Sequence, residues 1–259
     1  MKLPPLTGKQ RTLQKEDRGL PILSFCITSM NRLHHLRRTL PANLKWNSAC
    51  PIAEFVVLDY SSSDGLAEWI RSEMYEHIES GTLVFAQAPG FTEFRRSHAK
   101  NMAHRIATGR YLCNLDADNY TGARFATYLI QHFLAVPKIC VHSCRGLIAF
   151  PREYFYALGG YDERMIHGWG HEDWDLWVRS RAMGLKQVFI PGGEGFPYEI
   201  AHGDDERVKY HPVHNIGKSR AIHAEMSNAS LKNNILVANA GQNWGAGRII
   251  YNFSKTVEL

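Results

Sequence analysis

The first half of the chain alternates short apolar runs with stretches in which apolar residues recur every three or four positions. A continuous apolar run of four to eight residues is typical of a buried strand. Such runs predict strands at residues 22–28, 54–59, 82–86 and 111–115. Helical spacing predicts helices near residues 33–44, 66–78 and 99–106. This alternation predicts an α/β protein with a Rossmann-like, mostly parallel central sheet and helices on both faces.

Individual residues refine these helices. Pro41 lies within the first helix and should disturb it, because proline removes a backbone hydrogen bond and clashes with the preceding turn. Ser63 or Asp64 stands where a residue that caps the second helix is expected. Gly109 marks the end of the third helix.

The second half of the chain is less regular. It predicts one or two short strands within 139–150, a short helix at 152–158, a helix from Glu172 to Gly184 and a strand at 186–190. From residue 192 onward the chain is rich in Gly, His, Asp and Asn and has weak periodicity. We therefore expect a loop-rich C-terminal extension.

Composition is that of an ordinary globular protein, with 259 residues, 44% hydrophobic and 21% charged. A net charge of +5, spread along the chain, is too small to argue for a nucleic-acid partner, and we expect none. The first 19 residues lack the apolar core of a signal peptide, and no apolar run reaches 18 residues. The odd number of cysteines, five, indicates reduced and mostly buried thiols. We expect a cytoplasmic protein without a transmembrane segment. Peripheral contact with a membrane surface is compatible with this expectation.

An acidic triplet, Asp116-Ala117-Asp118, follows the fourth predicted strand. In an open parallel sheet, ligands bind at the carboxyl ends of the strands, which is where this triplet falls. Carboxylate oxygens are suitable ligands for Mg²⁺ or Mn²⁺, and such a cation neutralises a diphosphate. The alternative is a polar loop that caps the following helix.

A second acidic pair, Glu172-Asp173, opens a predicted helix directly after the sequence Gly168-Trp169-Gly170-His171. The helix dipole favours carboxylates at this end, so simple capping is one explanation. A carboxylate in a walled cleft can also accept a proton from an attacking hydroxyl group. The aromatic, glycine-flanked approach is harder to explain by capping.

Three further polar segments follow predicted strands. Their candidate residues are Thr28 and Asn31, then Asp59, and then Arg96, His98 and Asn101. Hydroxyl, amide and carboxylate groups can bind a base or a ribose, and cations near a helix N-terminus can bind phosphate. Turn formation, helix capping and a solvated basic face are the alternatives. Further along the chain, His202, His211 or His214 could supply a neutral imidazole to a cation.

Residues 22–190 together resemble inverting glycosyltransferases of the GT-A fold, especially the large family 2 group. ILSFCITSMNRLHHL is similar to that family's first strand and nucleotide-contacting loop, and EFVVLDYSSSDG to its second strand with the acidic residue on the uracil side. RSHAKNMAHRIATGRYLCNLDADN resembles its helix, strand and D-x-D region. GLIAFPREYFYALGGYDERMIHGWGHEDWDLWVRSRAMGL is similar to the acceptor-side segment of galactosyl- and N-acetylgalactosaminyltransferases. Tyr60 departs from the family pattern, which more often has a small polar residue there.

The resemblance implies a role for each matching residue. Donor binding would involve Thr28, Asn31, Asp59, Arg96, His98, Asn101 and Asp116. The metal site would contain Asp118, Asp116 and His202, with Mn²⁺ or Mg²⁺ as the cofactor. Asp173 would be the general base, with Glu172 at the acceptor or donor sugar, and Trp169 and Gly170 would contact the acceptor.

The implied activity is inverting transfer of a hexose or N-acetylhexosamine from a UDP-sugar donor to a saccharide or glycoconjugate acceptor. The chain would then divide into a polar arm (1–20), a nucleotide-sugar-binding half (21–120), an acceptor-binding and catalytic half (121–205) and a tail that could act as a lid (206–259). One alternative is a sugar-nucleotide nucleotidyltransferase, although residues 28–32 lack the glycines that its loop would need. The other is a catalytically silent protein that binds a carbohydrate or nucleotide.

Overall fold

The computed structural model describes residues 22–50, 52–143, 146–190 and 195–259. The arm at 1–20 and Cys144 lie outside the described residues. The strands are β1 (Leu23–Ser29), β2 (Ala53–Asp59), β3 (Leu83–Gln87), β4 (Tyr111–Asn114), β5 (Asn119–Tyr120), β6 (Ile139–Ser143), β7 (Ile148–Pro151), β8 (Lys186–Ile190), β9 (Tyr198–Glu199), β10 (Arg248–Tyr251) and β11 (Lys255–Glu258). The helices are α1 (Leu33–Asn47), α2 (Leu66–Glu73), α3 (Tyr75–Glu79), α4 (Arg96–Ile106), α5 (Phe125–Ala135), α6 (Arg152–Ala157), α7 (Glu172–Ala182), α8 (Asp204–Val208) and α9 (Ile216–Lys232).

Within these ranges, nine strands form one sheet in the order β11-β10-β3-β2-β1-β4-β7-β6-β8. The central strands β3, β2, β1 and β4 are parallel, and Phe25 of β1 pairs with Phe55 of β2 and Cys113 of β4. β7 and β10 run antiparallel to their neighbours. After β3 the chain crosses to the other side of β1, which makes the carboxyl ends of β1 and β4 a topological switch point.

Helices cover both faces of the sheet, as the sequence predicts. Along β1, Phe25 and Ile27 pack with the helices α1, α2 and α5, whereas Cys26 packs with α4, α6 and α7 on the other face. Successive residues of a strand point to opposite faces, so this fully buried strand contributes to two cores. The structure confirms the predicted α/β fold with a mostly parallel sheet.

Some local features differ from the expectations. α1 continues through Pro41 because its apolar side chains are buried on both sides of the proline. Asp64 does not cap α2; its Oδ2 accepts a hydrogen bond from the backbone N of Leu33 at 2.8 Å and so caps α1. Residues 66–78 form two helices, α2 and α3, because the backbone of Met74 is not helical.

The C-terminal extension contains regular elements that the apolar pattern did not predict. α9 has 17 residues, and its buried side chains are Ser219, His223, Ser227 and Ser230. A helix that buries serine and histidine lacks an apolar stripe, which explains why the pattern missed it. β10 pairs with both β3 and β11, so the end of the chain extends the sheet.

Four cysteines lie in the described part of the chain and agree with the expectation of reduced, buried thiols. Cys26, Cys50, Cys113 and Cys140 are free and buried. No helix within the described ranges is both long enough and apolar enough to cross a membrane.

Candidate active site

A cleft of about 620 Å³ opens at the carboxyl ends of β1 and β4. This is the edge where the topology places ligands. The predicted site residues that line the cleft are Thr28, Arg96, Asp116, Asp118, Trp169, Gly170, Glu172, Asp173 and His202. The fold therefore brings both acidic motifs and two histidines of the C-terminal extension, His202 and His211, to a single place.

The acidic triplet meets the extension at Asp118. Its Oδ2 lies 2.7 Å from His202 Nε2, and the pairing of β5 with β9 holds the two segments together. Burial by itself would raise the pKa of Asp118, but the hydrogen bond and charge of His202 outweigh burial and lower it. The same hydrogen bond raises the pKa of His202. A carboxylate and an imidazole this close, with Asp116 in the same cleft, could hold a divalent cation.

A buried cation, Lys100, and a partly buried one, Arg96, join the acidic triplet to the Glu172–Asp173 pair. Lys100 Nζ donates to Glu172 Oε1 at 2.9 Å and to the two oxygens of Asp173 at 2.8 and 2.9 Å. Arg96 Nε donates to Glu172 Oε1 at 2.7 Å. Asp116 lies near both cations: its Oδ2 is 3.6 Å from Arg96 Nη2, and its Oδ1 is 3.7 Å from Lys100 Nζ. The sequence analysis did not single out Lys100 from its basic segment, although its position four residues after Arg96 on a helix puts both on one face.

The electrostatic environment shifts the pKa values of the two adjacent carboxyl groups in opposite directions. Burial would raise the pKa of Glu172, but Arg96 and Lys100 outweigh that effect and hold it well below its ordinary value. Burial raises the pKa of Asp173 to about 7; Lys100 opposes this shift, while Glu172 and Asp116 add to it. At neutral pH Glu172 is therefore ionised, and Asp173 is close to its midpoint, which suits a group that accepts and releases protons.

Gly146 leaves space between the two acidic motifs. Its φ is +76°, and a Cβ placed there would lie 3.0 Å from Asp116 Oδ2 and 3.4 Å from Asp173 Oδ2. Any other residue would be strained at this φ, and its Cβ would crowd Asp116 Oδ2 and touch Asp173 Oδ2. The glycine keeps this part of the cleft open to a ligand.

The loop at 168–170 is shaped by close packing on α9. A Cβ on Gly168 would lie 2.3 Å from Ser219 Oγ, and one on Gly170 would lie 3.1 Å from Arg220 Cγ. His223 Nδ1 lies 2.8 Å from the carbonyl oxygen of Gly170. The glycines are therefore needed for the close approach of a helix, and α9 fixes the loop that precedes the Glu172–Asp173 pair.

Two indoles line the cleft beside the carboxylates. The guanidinium groups of Arg96 and Arg207 lie 5.5 and 5.3 Å from the ring centroid of Trp169, which holds that indole in place. Trp174 directly follows Asp173 and is 51% exposed. The sequence analysis did not single out Trp174 as a site residue, because only the glycine-flanked Trp169 stood out.

The remaining predicted donor-binding residues, Asn31, Asp59, His98 and Asn101, do not line the cleft. Asn31 and Asp59 organise the turn after β2: the backbone N of Ser63 donates to Asn31 Oδ1 and that of Ser62 to Asp59 Oδ1, both at 2.7 Å. Burial raises the pKa of Asp59 to about 6, against the hydrogen bond from Ser62.

His98 and Asn101 lie on α4 but are engaged elsewhere. The ring nitrogens of His98 lie 2.8 Å from Tyr60 Oη and 2.9 Å from the carbonyl oxygen of Ala246. Asn101 is fully buried; it accepts a hydrogen bond from the backbone N of Tyr161 and donates to the carbonyl oxygen of the same residue. Of the other two candidate histidines, His211 is buried and lines the cleft, whereas His214 is exposed and does not.

Comparison with protein-family models gives a match for one segment of the chain. Residues 138–203 match the model described as the N-terminal domain of galactosyltransferase. This segment begins just before β6, includes the Glu172–Asp173 pair and ends just after His202. A search of curated protein sequences found no significant match.

Solved structures of glycosyltransferases share the fold. The mannosyltransferase PcManGT from Pyrobaculum calidifontis, in complex with GDP-Man and Mn²⁺, superposes with a TM-score of 0.56 at 22% identity over 66% of this chain. S. aureus TarS 1–349 in complex with UDP gives 0.55 at 11% identity, covering 81% of this chain and 72% of its own. GalNAc-T7 with UDP, GalNAc and Mn²⁺ gives 0.57 at 17% identity over 81% of this chain. The chain spans about half the length of PcManGT (55%) and of GalNAc-T7 (48%).

The strand order and the likeness to these structures define the class of fold: the GT-A fold of glycosyltransferases, with a mostly parallel central sheet flanked by helices. Within that class, the segment that carries the acidic pair matches the galactosyltransferase model.

Proposed function

We propose that this protein transfers a hexose or N-acetylhexosamine from a UDP-sugar to a saccharide or glycoconjugate acceptor, with inversion at the anomeric carbon. The observation that carries the proposal is one cleft in which Lys100 and Arg96 join a D-x-D triplet to a Glu–Asp pair. Residues 21–120 would form the donor-binding half and residues 121–205 the acceptor-binding and catalytic half. The tail from 206 would act as a packed cover, because α9 supports the loop at 168–170.

The donor diphosphate would lie beside the acidic triplet. Asp118, Asp116 and His202 offer carboxylate oxygens and one imidazole, a donor set that fits Mn²⁺ or Mg²⁺. When bound, such a cation neutralises charge on the departing nucleoside diphosphate. Complexes of PcManGT and GalNAc-T7 with Mn²⁺, and of TarS and GalNAc-T7 with UDP, support a cation and a uridine donor.

Asp173 would act on the acceptor. Its carboxylate would take the proton of the acceptor hydroxyl while that oxygen attacks the anomeric carbon and the bond to the diphosphate breaks. Attack from the face opposite the leaving group inverts the configuration in a single displacement. Lys100, which donates to both oxygens of Asp173, would hold the carboxylate in position.

The two indoles would bind the acceptor. Trp169 is fixed by Arg96 and Arg207 at the cleft, and Trp174 is half exposed next to Asp173. A flat aromatic ring suits the apolar face of a pyranose, and the nearby carboxylates suit its hydroxyl groups. The four free, buried cysteines favour a reducing compartment, and we place the reaction in the cytoplasm.

Calorimetric titration with UDP, GDP and UMP, each with and without Mn²⁺, tests the donor site. We expect Mn²⁺-dependent binding of UDP, lost in Asp118→Asn and retained in Asp205→Asn, a nearby exposed carboxylate that serves as the control. Tighter binding of GDP would contradict the choice of UDP. Failure of every diphosphate to bind would overturn the donor site and favour a catalytically silent protein.

A further inference from the structure

A cluster of possible metal ligands lies next to the proposed donor site. His34 and His35, in the first turn of α1, face Glu206 of α8, and ligand atoms of the three residues lie within 4.8 Å of one another. His34 Nε2 is 2.6 Å and His35 Nε2 is 3.7 Å from Glu206 Oε1. None of these residues has a role in the proposed reaction.

The donor set is that of a zinc site. Two imidazoles and one carboxylate are a common three-residue ligand set for Zn²⁺, with a fourth position open to water. Donors bound tetrahedrally at about 2.0–2.1 Å lie roughly 3.4 Å apart. The spacings from Glu206 Oε1, 2.6 and 3.7 Å, bracket that value, so small side-chain rotations would bring the three donors around one ion.

The two histidines are suited to different parts of such a site. The side chain of His35 is only 5% exposed, so its imidazole lies on the inner side of the cluster. The side chain of His34 is 57% exposed, which gives an ion access from solvent. A buried ligand beside an exposed one is compatible with reversible loading.

Arg32 is the main competitor for the carboxylate. It contacts Glu206 Oε1, but it also donates to the backbone carbonyl of Glu206, a contact that remains if the carboxylate turns. The other oxygen, Oε2, faces His202 Nδ1 at 3.7 Å. A cation can therefore share the carboxylate without removing Arg32 from this segment.

The cluster is distinct from the donor-side cation site. His202 turns its Nε2 to Asp118, at 2.7 Å, so the donor-side ligands are not members of the cluster. We propose that His34, His35 and Glu206 form a second divalent-cation site, suited to Zn²⁺, which fastens α8 to the start of α1. Because α8 begins two residues after His202, an ion there would also steady the segment that contacts Asp118. This inference does not rest on the proposed glycosyl transfer.

Zinc titration of the metal-stripped full chain, followed by calorimetry, tests the proposal. We expect two equivalents in the wild-type protein, one in Asp118→Asn, one in His34→Ala and none in the double variant. The loss in His34→Ala should exceed the roughly 10–100-fold decrease in affinity that outer-sphere changes cause. His77→Ala, a half-buried histidine on α3, is the control and should retain both equivalents.

Melting curves, recorded in EDTA and in Zn²⁺, distinguish a loss of zinc binding from a folding defect. His34→Ala changes an exposed side chain, so its melting temperature in EDTA should equal that of the wild type, and Zn²⁺ should raise it less than it raises that of the wild type. Glu206→Gln should reproduce the loss of the second equivalent. Equal zinc binding by His34→Ala and the wild type, or no zinc binding by Asp118→Asn, would overturn the second site.

Discussion

The charged side chains that meet in the cleft differ in their burial and in the lengths of their ion pairs. Lys100 and Glu172 are almost completely buried, so each depends on its partners, because an unpaired buried charge costs several kcal/mol. The side chain of Asp116 is 26% exposed, and its ion pairs with Arg96 and Lys100 are longer, at 3.6 and 3.7 Å. The cations therefore fix the Glu172–Asp173 pair firmly and leave Asp116 available to a ligand.

Asp173→Asn tests the general base. We expect kcat to fall by about 10²–10⁴-fold, because the amide keeps the size of the carboxyl group but cannot take the proton. UDP affinity, measured by calorimetry, should not change. Glu79→Gln, an exposed position on α3, is the control. Loss of UDP binding together with activity would instead assign Asp173 to the donor site.

The pH dependence of transfer follows from the pKa of Asp173. Burial and neighbouring carboxylates raise this pKa to about 7. A base must be deprotonated to act, so kcat/KM should fall about tenfold per pH unit below 7 and level off above it. Steady-state rates between pH 5 and 9 measure this limb. A profile that stays flat down to pH 5 would contradict the role of Asp173.

At the scale of elements, α1 supports the loop that follows the acidic triplet. Asn43 is buried; its Nδ2 donates to the carbonyl oxygen of Asn119, and its Oδ1 accepts from the backbone N of Thr121. One turn later, Asn47 Oδ1 accepts from the backbone N of Ala126 at the start of α5. Side chains on the polar face of α1 thus supply hydrogen bonds to the backbone of residues 119–126, a segment that has few strand contacts of its own.

Asn43→Ala should lower the free energy of unfolding by about 1–3 kcal/mol, because it leaves buried backbone groups of the loop without partners. Urea denaturation followed by circular dichroism measures the change. Asn233→Ala removes an exposed amide that contacts only its own helix and should change stability by less than about 0.5 kcal/mol. Equal stability of the two variants would show that α1 does not support the loop.

At the scale of the whole molecule, a buried ion pair connects distant parts of the chain. Arg179 Nε donates to Asp175 Oδ2 at 2.7 Å, and its Nη atoms donate to the carbonyl oxygens of Leu158 and Gly160, both at 2.9 Å. Ser227 Oγ of α9 donates to Asp175 Oδ1 at 2.7 Å. Helices α7 and α9 and the turn after α6 are therefore held together by one buried ion pair near the Glu172–Asp173 pair.

Arg179→Met should reduce the free energy of unfolding by about 3–5 kcal/mol, because it leaves Asp175 buried without its counter-ion. The double variant Asp175→Leu/Arg179→Met should recover part of that loss, since no charge remains buried. A double-mutant cycle from urea denaturation measures the coupling. Simple additivity of the two single changes would show that the pair does not act as a unit.

Prediction from the sequence succeeded for the elements whose buried side chains are apolar. The runs that became β1 and β2 are buried on both faces, and the spacing of leucines in α1 matches its core-facing side. α9 buries Ser219, His223, Ser227 and Ser230 instead, so its burial could be seen only once its partners were in place. The role of Asp64 as a cap of α1 likewise depends on a contact between two loops.

The sequence by itself determined the order of strands and helices in the first half of the chain, and it indicated the acidic motifs at strand and helix ends, because apolar period and strand-end position are local properties. Only the tertiary structure decided that Lys100 joins those motifs, that His202 reaches Asp118 and that Asn101 is buried away from the cleft. The physical reason is that a charged or polar side chain takes its role from its partners. Those partners come from segments far apart in the chain, which only the folded sheet brings together.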